Sequence, residues 1–270
     1  MAELRNINWK RLTKDLLSKD SLYPLLKSRS LQWYLTIVLR KNGYVVLDDL
    51  DGLVLEYRGV KFSPDLINYP RMFEVWDRYY VNRIQKEDIV VDLGANIGSY
   101  TLPAAQRCRH IFSLEPLFTE TLRRNVLLNN LSNVTIVPFS LYTENVDCQE
   151  FKEKCKVIDF GKLLEIVGQK VDVLRLDIGG AEWNIFPEIF FPDTRVFEIE
   201  FHFWNKNPKL HSWEYWKRRF EDEGYGYLAR WSRHRHWLYV SAEKDWNIRK
   251  EVQLKDGSFK GESLKLWKVQ

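Results

Sequence analysis

From about residue 87 onward the chain alternates short apolar runs with amphipathic ones, and this rhythm limits the fold more than any other feature. "DIVVDLG" (88–94) leads into a helix to about residue 107, then "HIFSLEP" (110–116), a helix "TETLRRNVLLNN" (119–130) and "NVTIVPFSL" (133–141). A helix "DFGKLLEIVG" (159–168) and the run "VDVLRLDI" (171–178) continue the series. Strands that are apolar throughout and separated by helices predict a parallel sheet wound with helices on both faces. After residue 190 come "TRVFEIEFHF", a helix around "SWEYWKRRFEDEG", then "YGYLARW" and "HWLYVSA". The last two lie too close for a helical crossover and must pair as an antiparallel hairpin. The expected fold is an α/β, doubly wound, Rossmann-like and mostly parallel sheet closed by a C-terminal antiparallel hairpin.

A smaller region precedes it. Residues 7–42 place Leu12, Leu16, Leu17, Leu22, Leu25, Leu26, Trp33, Tyr34, Ile37 and Val38 at helical spacing, which predicts two or three amphipathic helices. "YVVLDDLDGLVLEYRGVKF" (44–62) gives two β-rich runs around Asp-Gly, a strong hairpin signal. "RMFEVWDRYYV" (71–81) reads as a helix before the first core strand. These signals divide the chain into an N-terminal region 1–66, suited to docking a partner or covering an acceptor, a main domain 67–242, and a polar tail 243–270. A length of 270 residues with 45% apolar content suits one sizeable domain with an appendage.

Lysine and arginine number 41 against 37 acids, a formal charge of +4, too small to demand a nucleic-acid partner. Cys108, Cys148 and Cys155 have no metal-ligand spacing and are expected as reduced, buried thiols; no metal site is expected. The N-terminus has no signal-peptide core, and "LQWYLTIVL" (31–39) is half a membrane span, so a soluble cytoplasmic protein without a transmembrane segment is expected.

The first strand ends in "VVDLGANIGSYTLPAA" (90–105), where Gly94 and Gly98 flank Asn96. Glycines let a backbone bend tightly and approach a ligand, and a nucleotide of some kind fits. The phosphate-binding version of this turn carries a middle glycine where Asn96 stands here. Asp92 at the strand end would repel a phosphate and attract the cationic amino group of S-adenosylmethionine. Glu115, 23 residues after Asp92, closes the next strand where a ribose needs a hydroxyl acceptor.

At this level the chain resembles the class I methyltransferases, and within them the FkbM-type S-adenosylmethionine-dependent enzymes, mostly O-methyltransferases of sugars and other secondary-metabolite hydroxyls. The likeness runs over about residues 85–205 and is carried by "VVDLGANIGSYTL", "SLEPLFTETLRRNVLLNN", "VIDFGKLLEIVGQKVDVLRLDIGGAEWNIF" and "VFEIEFH". The resemblance implies that Asp92, Gly94, Ala95, Asn96 and Gly98 line the methionine end of the donor. It implies that Glu115, with Pro116, takes the ribose, and that Ser140 and Leu141 flank the adenine. Asp177, at the tip of the fourth strand, would face the transferring methyl and the acceptor. One departure stands out: in "DIGGAE" Gly179 replaces a family glutamate, leaving Asp177 and Glu182, and Arg175 stands where a lysine is usual.

Methyl transfer from a sulfonium is an in-line displacement from an activated donor, so alignment supplies most of the catalysis. A hydroxyl acceptor also gains from a positioned base, for which Asp177, Glu182 and His202 are the candidates. Each has a structural rival: a turn cap for Asp177, a first-turn helix acid for Glu182, a strand packing position for His202. His202 and Glu200 alternate around Phe201 and so share a face. Trp204, Trp213, Trp216, Trp231, Trp237, Tyr215, Tyr225 and Tyr227 are expected to be mostly core, with some left for a stacking wall. "RWSRHRHW" (230–237) reads as a solvated hairpin turn or a contact for an anionic acceptor. The leading expectation is an O-methyltransferase of a glycan or small-metabolite hydroxyl. The alternatives are an RNA (tRNA) methyltransferase, which the donor half also resembles, and an inactive binding subunit, for which Gly179 is the motive.

Overall fold

The Asp-Gly signal places a hairpin where the sequence predicts one: Val45–Asp49 (β1) pairs antiparallel with Gly52–Tyr57 (β2), Asp49 opposite Gly52. The second β-rich run is not a single strand. Gly59, at φ +78, turns the chain so that Val60–Phe62 (β3) folds back antiparallel on β2. Val54, Val60 and Phe62 are buried. The structure, a computed structural model, describes residues 45–49, 52–57, 59–63, 81–141, 155–203, 211–232 and 237–253. The chain divides into two units, Met1–Tyr69, which holds this meander, and Pro70–Gln270. The helices expected over 7–42 and most of that over 71–81 lie outside the described residues, which resume with a 3-10 turn at Val81–Arg83.

In the larger unit the expected alternation folds as written. Ile89–Leu93 (β4), Thr101–Ala105 (α1), His110–Leu114 (β5), Thr119–Leu128 (α2) and Val134–Val137 (β6) come first. The short parallel pair Ser140–Leu141 (β7) and Val157–Ile158 (β8) follows, then Phe160–Val167 (α3) and Val173–Leu176 (β9). Val196–His202 (β10), Trp213–Asp222 (α4), Tyr225–Trp231 (β11), Trp237–Lys244 (β12) and Arg249–Gln253 (β13) complete it. Local signals set the helix ends. Asp159 caps α3 by accepting from the Lys162 N–H at 2.7 Å, Gly168 closes it at φ +62, and Ser212 caps α4.

One eight-stranded sheet runs in the order β13-β11-β12-β10-β9-β4-β5-β6. β10, β9, β4, β5 and β6 are parallel neighbours, and β12 runs antiparallel between β10 and β11. Parallel strands closed by an antiparallel pair form the Rossmann-like sheet expected from the sequence. The supposed tail differs from expectation: β12 reaches Lys244 and β13 adds a parallel edge strand on β11. "RKEVQ" gave no strand signal because an exposed edge strand buries almost nothing.

One sheet face packs on a large aromatic core that includes Leu93, Leu176, Ile199, Phe201, Trp216 and Phe220. The other begins apolar, with Val90, Ile111, Val173 and Val196, and becomes polar toward the carboxyl ends of the strands. One row across neighbouring strands reads Ser113, Asp92, Arg175, Glu198, Ser241, all buried. The next same-face positions carry Asp177, Glu200 and Tyr239, and then His202. Polar side chains are buried at this cost only where they find partners.

Candidate active site

The turn after β4 answers whether it holds a phosphate. A phosphate cradle presents unused backbone N–H groups to its ligand. Here every amide from 94 to 98 is spent inside the protein. Gly94 and Ala95 donate to the Leu114 carbonyl at 3.1 and 3.0 Å, and Gly98 donates to Ala95 at 2.9 Å. Asn96 donates to Glu115 Oε2 at 2.7 Å, and Ile97 to Asn96 Oδ1 at 2.8 Å. Asn96 itself sits at φ +52, and Asn125 of α2 pins the Ile97 carbonyl at 2.8 Å.

The two glycines are explained by protein contacts. A Cβ on Gly94, at φ +87, would lie 2.0 Å from the Asp177 carbonyl oxygen, and one on Gly98, at φ +97, would meet Leu122 and Leu102. The expectation that they make room for a ligand is corrected to this: they let the turn pack against β9 and the flanking helices. Ala95 is likewise buried.

Glu115 is the hub of the turn. Its Oε2 accepts from Asn96, and its Oε1 accepts from the Leu117 and Phe118 N–H groups at 2.7 and 2.9 Å. A carboxylate has about four acceptor sites, so three backbone donors leave room for a hydroxyl at Oε2. Pro116 follows it, half-buried.

Asp92 requires a correction. It has no exposed surface, its Oδ2 accepts from Thr101 Oγ1 at 2.6 Å, and its Oδ1 is 3.0 Å from Arg175 Nη1. Arg175 is itself buried and also donates to the Gly94 carbonyl at 2.6 Å and to Asp177 Oδ2 at 2.5 Å. The Asp92 charge is therefore answered from within and does not face a sulfonium. Burial pushes its carboxyl above the usual range even though Arg175 and Thr101 pull it down. Arg175 thereby ties the ends of β4 and β9 together.

Beyond Arg175 the site is a cluster around His202. The ring Nδ1 lies 3.1 Å from Glu182 Oε1, and Nε2 lies 3.6 Å from Asp177 Oδ1 and 3.5 Å from Glu200 Oε1. Burial alone would lower the imidazole, but the hydrogen bond and charge of Glu182, with Asp177 and Glu200, raise it to about 9. At neutral pH it is a cation and not a general base.

Glu182 lies in a 3-10 turn, Ala181–Asn184, has no exposed surface, and accepts from the Ile178 N–H at 2.6 Å. Its Oε1 also lies 3.1 Å from His202 Nδ1, so it is placed to position the ring. Asp177 is the open member, its side chain 25% exposed.

Ser140 and Leu141 form β7, with the Ser140 N–H bonded to the Lys156 carbonyl and Leu141 packed in the core. Trp213, Trp216, Tyr225 and Tyr227 are core, while Trp237 is 36% exposed. Cys108 and Cys155 are buried, with the Cys108 thiol pushed up to about 12 by burial; Cys148, Trp204 and residues 233–236 lie outside the described residues. Sequence reasoning missed Glu198 and the role of Glu200. The period-two alternation of "FEIEFH" already put both on the face of His202.

No family model matches the chain. A stretch of 54 residues, 19% of the chain, is 46% identical to the 23S rRNA (uracil(1939)-C(5))-methyltransferase RlmD of Klebsiella pneumoniae (strain 342), and spans only 12% of that protein. Among solved structures the chain is similar to an rRNA methylase from Streptococcus thermophilus, at 10% identity over 61% of this chain and 90% of that one, TM-score 0.41. It is also similar to Trm5b from Pyrococcus abyssi, at 13% over 74% and 56%, TM-score 0.39. TYW2 of M. jannaschii, solved in complex with AdoMet, matches at 15% over 74% and 84%, TM-score 0.41. Among the described residues no helix is long and apolar enough to cross a membrane.

Proposed function

We propose that the chain is an S-adenosylmethionine-dependent methyltransferase whose donor lies over the β4 turn, with Glu115 taking a ribose hydroxyl and Asp177 facing the acceptor. The observation that carries this reading is the saturated turn. All five amides of 94–98 are bonded internally and the Glu115 carboxylate holds the turn, which favours a nucleoside over a pyrophosphate. A sulfonium nucleoside is the donor that a Rossmann-like sheet of this strand order, without a phosphate cradle, is built to hold. In-line transfer then requires alignment of acceptor and methyl, and the open carboxylate of Asp177, steadied by Arg175, orients an O–H or N–H of the acceptor.

For the acceptor, a base in RNA is better supported than the glycan or metabolite hydroxyl suggested by the FkbM-type resemblance. The curated relative is named for rRNA, and none of the proteins named above is named for a glycan. Titration calorimetry tests the donor: S-adenosylmethionine binds, NAD and ATP do not compete, and Glu115→Ala weakens the donor at least tenfold, about 1.4 kcal/mol. Competition by NAD, or unchanged affinity in Glu115→Ala, refutes the donor site. Transfer of labelled methyl to total RNA, with retention falling as salt rises, identifies the acceptor, and label appearing in a glycan fraction instead returns the hydroxyl reading.

A further inference from the structure

The carboxyl ends of β9 and β10 bring three metal-ligating groups to one point. One atom each from Asp177, Glu200 and His202 lies within 4.8 Å of the others. His202 Nε2 is 3.6 Å from Asp177 Oδ1 and 3.5 Å from Glu200 Oε1. Those separations exceed the ~2.7–2.9 Å of a charge-assisted hydrogen bond. They suit atoms that share an ion with bonds of ~2.0–2.4 Å, reached by side-chain shifts of less than about 1 Å.

The surroundings match a metal site. The far ring nitrogen, Nδ1, is held by Glu182 Oε1 at 3.1 Å, the carboxylate–histidine arrangement that fixes a ligating tautomer and leaves Nε2 for the ion. Glu182 is a fully buried carboxylate whose Oε2 has no hydrogen-bond partner among the described residues. Arg175 occupies Asp177 Oδ2, leaving Oδ1 toward the ring. Glu200 and His202 are buried while Asp177 is 25% exposed. Three protein ligands with one open side is the pattern of a catalytic ion and not of a closed structural one.

We propose that Asp177, Glu200 and His202 bind a divalent cation whose open position faces the acceptor. One imidazole with two carboxylates favours hard to borderline ions, for which Mn²⁺ is the probe. On binding, the ion takes the place of the Nε2 hydrogen, which leaves as a proton to solvent. Its role, polarising the acceptor atom and lowering the pKa of an acceptor O–H or N–H, rests on the methyltransferase reading; the site itself does not.

The full chain, stripped with chelator, is titrated with Mn²⁺ and the free ion is followed by electron paramagnetic resonance, with S-adenosylmethionine affinity and circular dichroism measured on the same samples. One saturable Mn²⁺ is expected, bound at least tenfold more weakly by Glu200→Gln and by the part-exposed Asp177→Asn. No saturable binding, or binding unchanged in whichever of the two variants remains folded, overturns the site. Mn²⁺ binding without donor binding overturns the proposed function and leaves the ion; donor binding without Mn²⁺ does the reverse.

Discussion

Replacing Arg175 by methionine removes the cation that the structure pairs with Asp92, with a consequence set by three contacts. Nη1 reaches Asp92 Oδ1 at 3.0 Å and the Gly94 carbonyl at 2.6 Å, and Nη2 reaches Asp177 Oδ2 at 2.5 Å. The Arg175 side chain is 4% exposed and that of Asp92 0%. Breaking a buried pair by deleting one partner costs ~3–5 kcal/mol, because the other charge stays buried. Asp92 has an escape, which is to take up a proton. Its carboxyl already lies above 3.8 with Arg175 present, and losing Arg175 raises it further. A carboxyl raised in the folded state binds more protons there than in the unfolded chain, so stability falls as pH rises above 3.8, and the window reaches higher in the variant.

Urea unfolding of wild type, Arg175→Met, Asp92→Asn and the double variant at two pH values measures this. Arg175→Met should lose about 3 kcal/mol or more at neutral pH and less in acid, where Asp92 takes up its proton. The double variant should recover about 2 kcal/mol of that loss, because it removes the stranded charge. Arg175→Lys should fall between, since one ammonium cannot span three acceptors set for a planar fork. A loss below about 1 kcal/mol in Arg175→Met, or simple addition in the double variant, would refute the claim that this pair holds β4 and β9 together.

Two further outcomes follow from single positions. Gly94→Ala must place a Cβ 2.0 Å from the Asp177 carbonyl at φ +87, so it should cost more than the ~1–2 kcal/mol of the left-handed conformation alone and should abolish donor binding. Gly179→Ala, at φ +67 with nothing within 4 Å, should cost only that conformational amount, and thermal melts that rank the two equally would contradict the packing described. In metal-free protein His202, at about 9 against an ordinary 6.5, contributes on the order of 3 kcal/mol. That stability is fully present below pH 6.5 and is lost as pH rises through about 9. The urea midpoint of wild type should fall over that window more steeply than that of His202→Gln; parallel slopes would show that Glu182, Asp177 and Glu200 do not hold the proton there.

The parallel strands were legible because their buried residues are mostly apolar, as in "IVVDL" and "HIFSL", while short βα connections left one arrangement of the chain. β13 was not legible, since an exposed edge strand buries too little to leave a pattern. Glu115 could be placed from its spacing alone, because the position after β5 follows from the βα unit. Asp92 was placed correctly and its task was misread. The residue that neutralises it lies 83 positions away and reaches it only through the parallel register of β4 with β9. The cluster on His202 was half visible. Alternation joins Glu200 to His202 within β10, but bringing Asp177 beside them requires β9 to lie next to β10.

This placement moves donor selectivity away from the acid in the strand and onto the turn that follows it. If Asp92 excluded phosphate by its own charge, neutralising it would admit a pyrophosphate. Its charge is already answered by Arg175 and Thr101, so neutralisation frees no backbone donor. The amides of 94–98 stay committed to the Leu114 and Ala95 carbonyls, Asn96 Oδ1 and Glu115 Oε2. Of these acceptors only Glu115 is a charge, and it is also the group left with capacity for a ribose hydroxyl. On the proposed donor placement, holding the turn, repelling phosphate and accepting the nucleoside converge on one carboxylate. A change there alters the fold of the turn and the choice of donor together, whereas a change at Asp92 alters stability first.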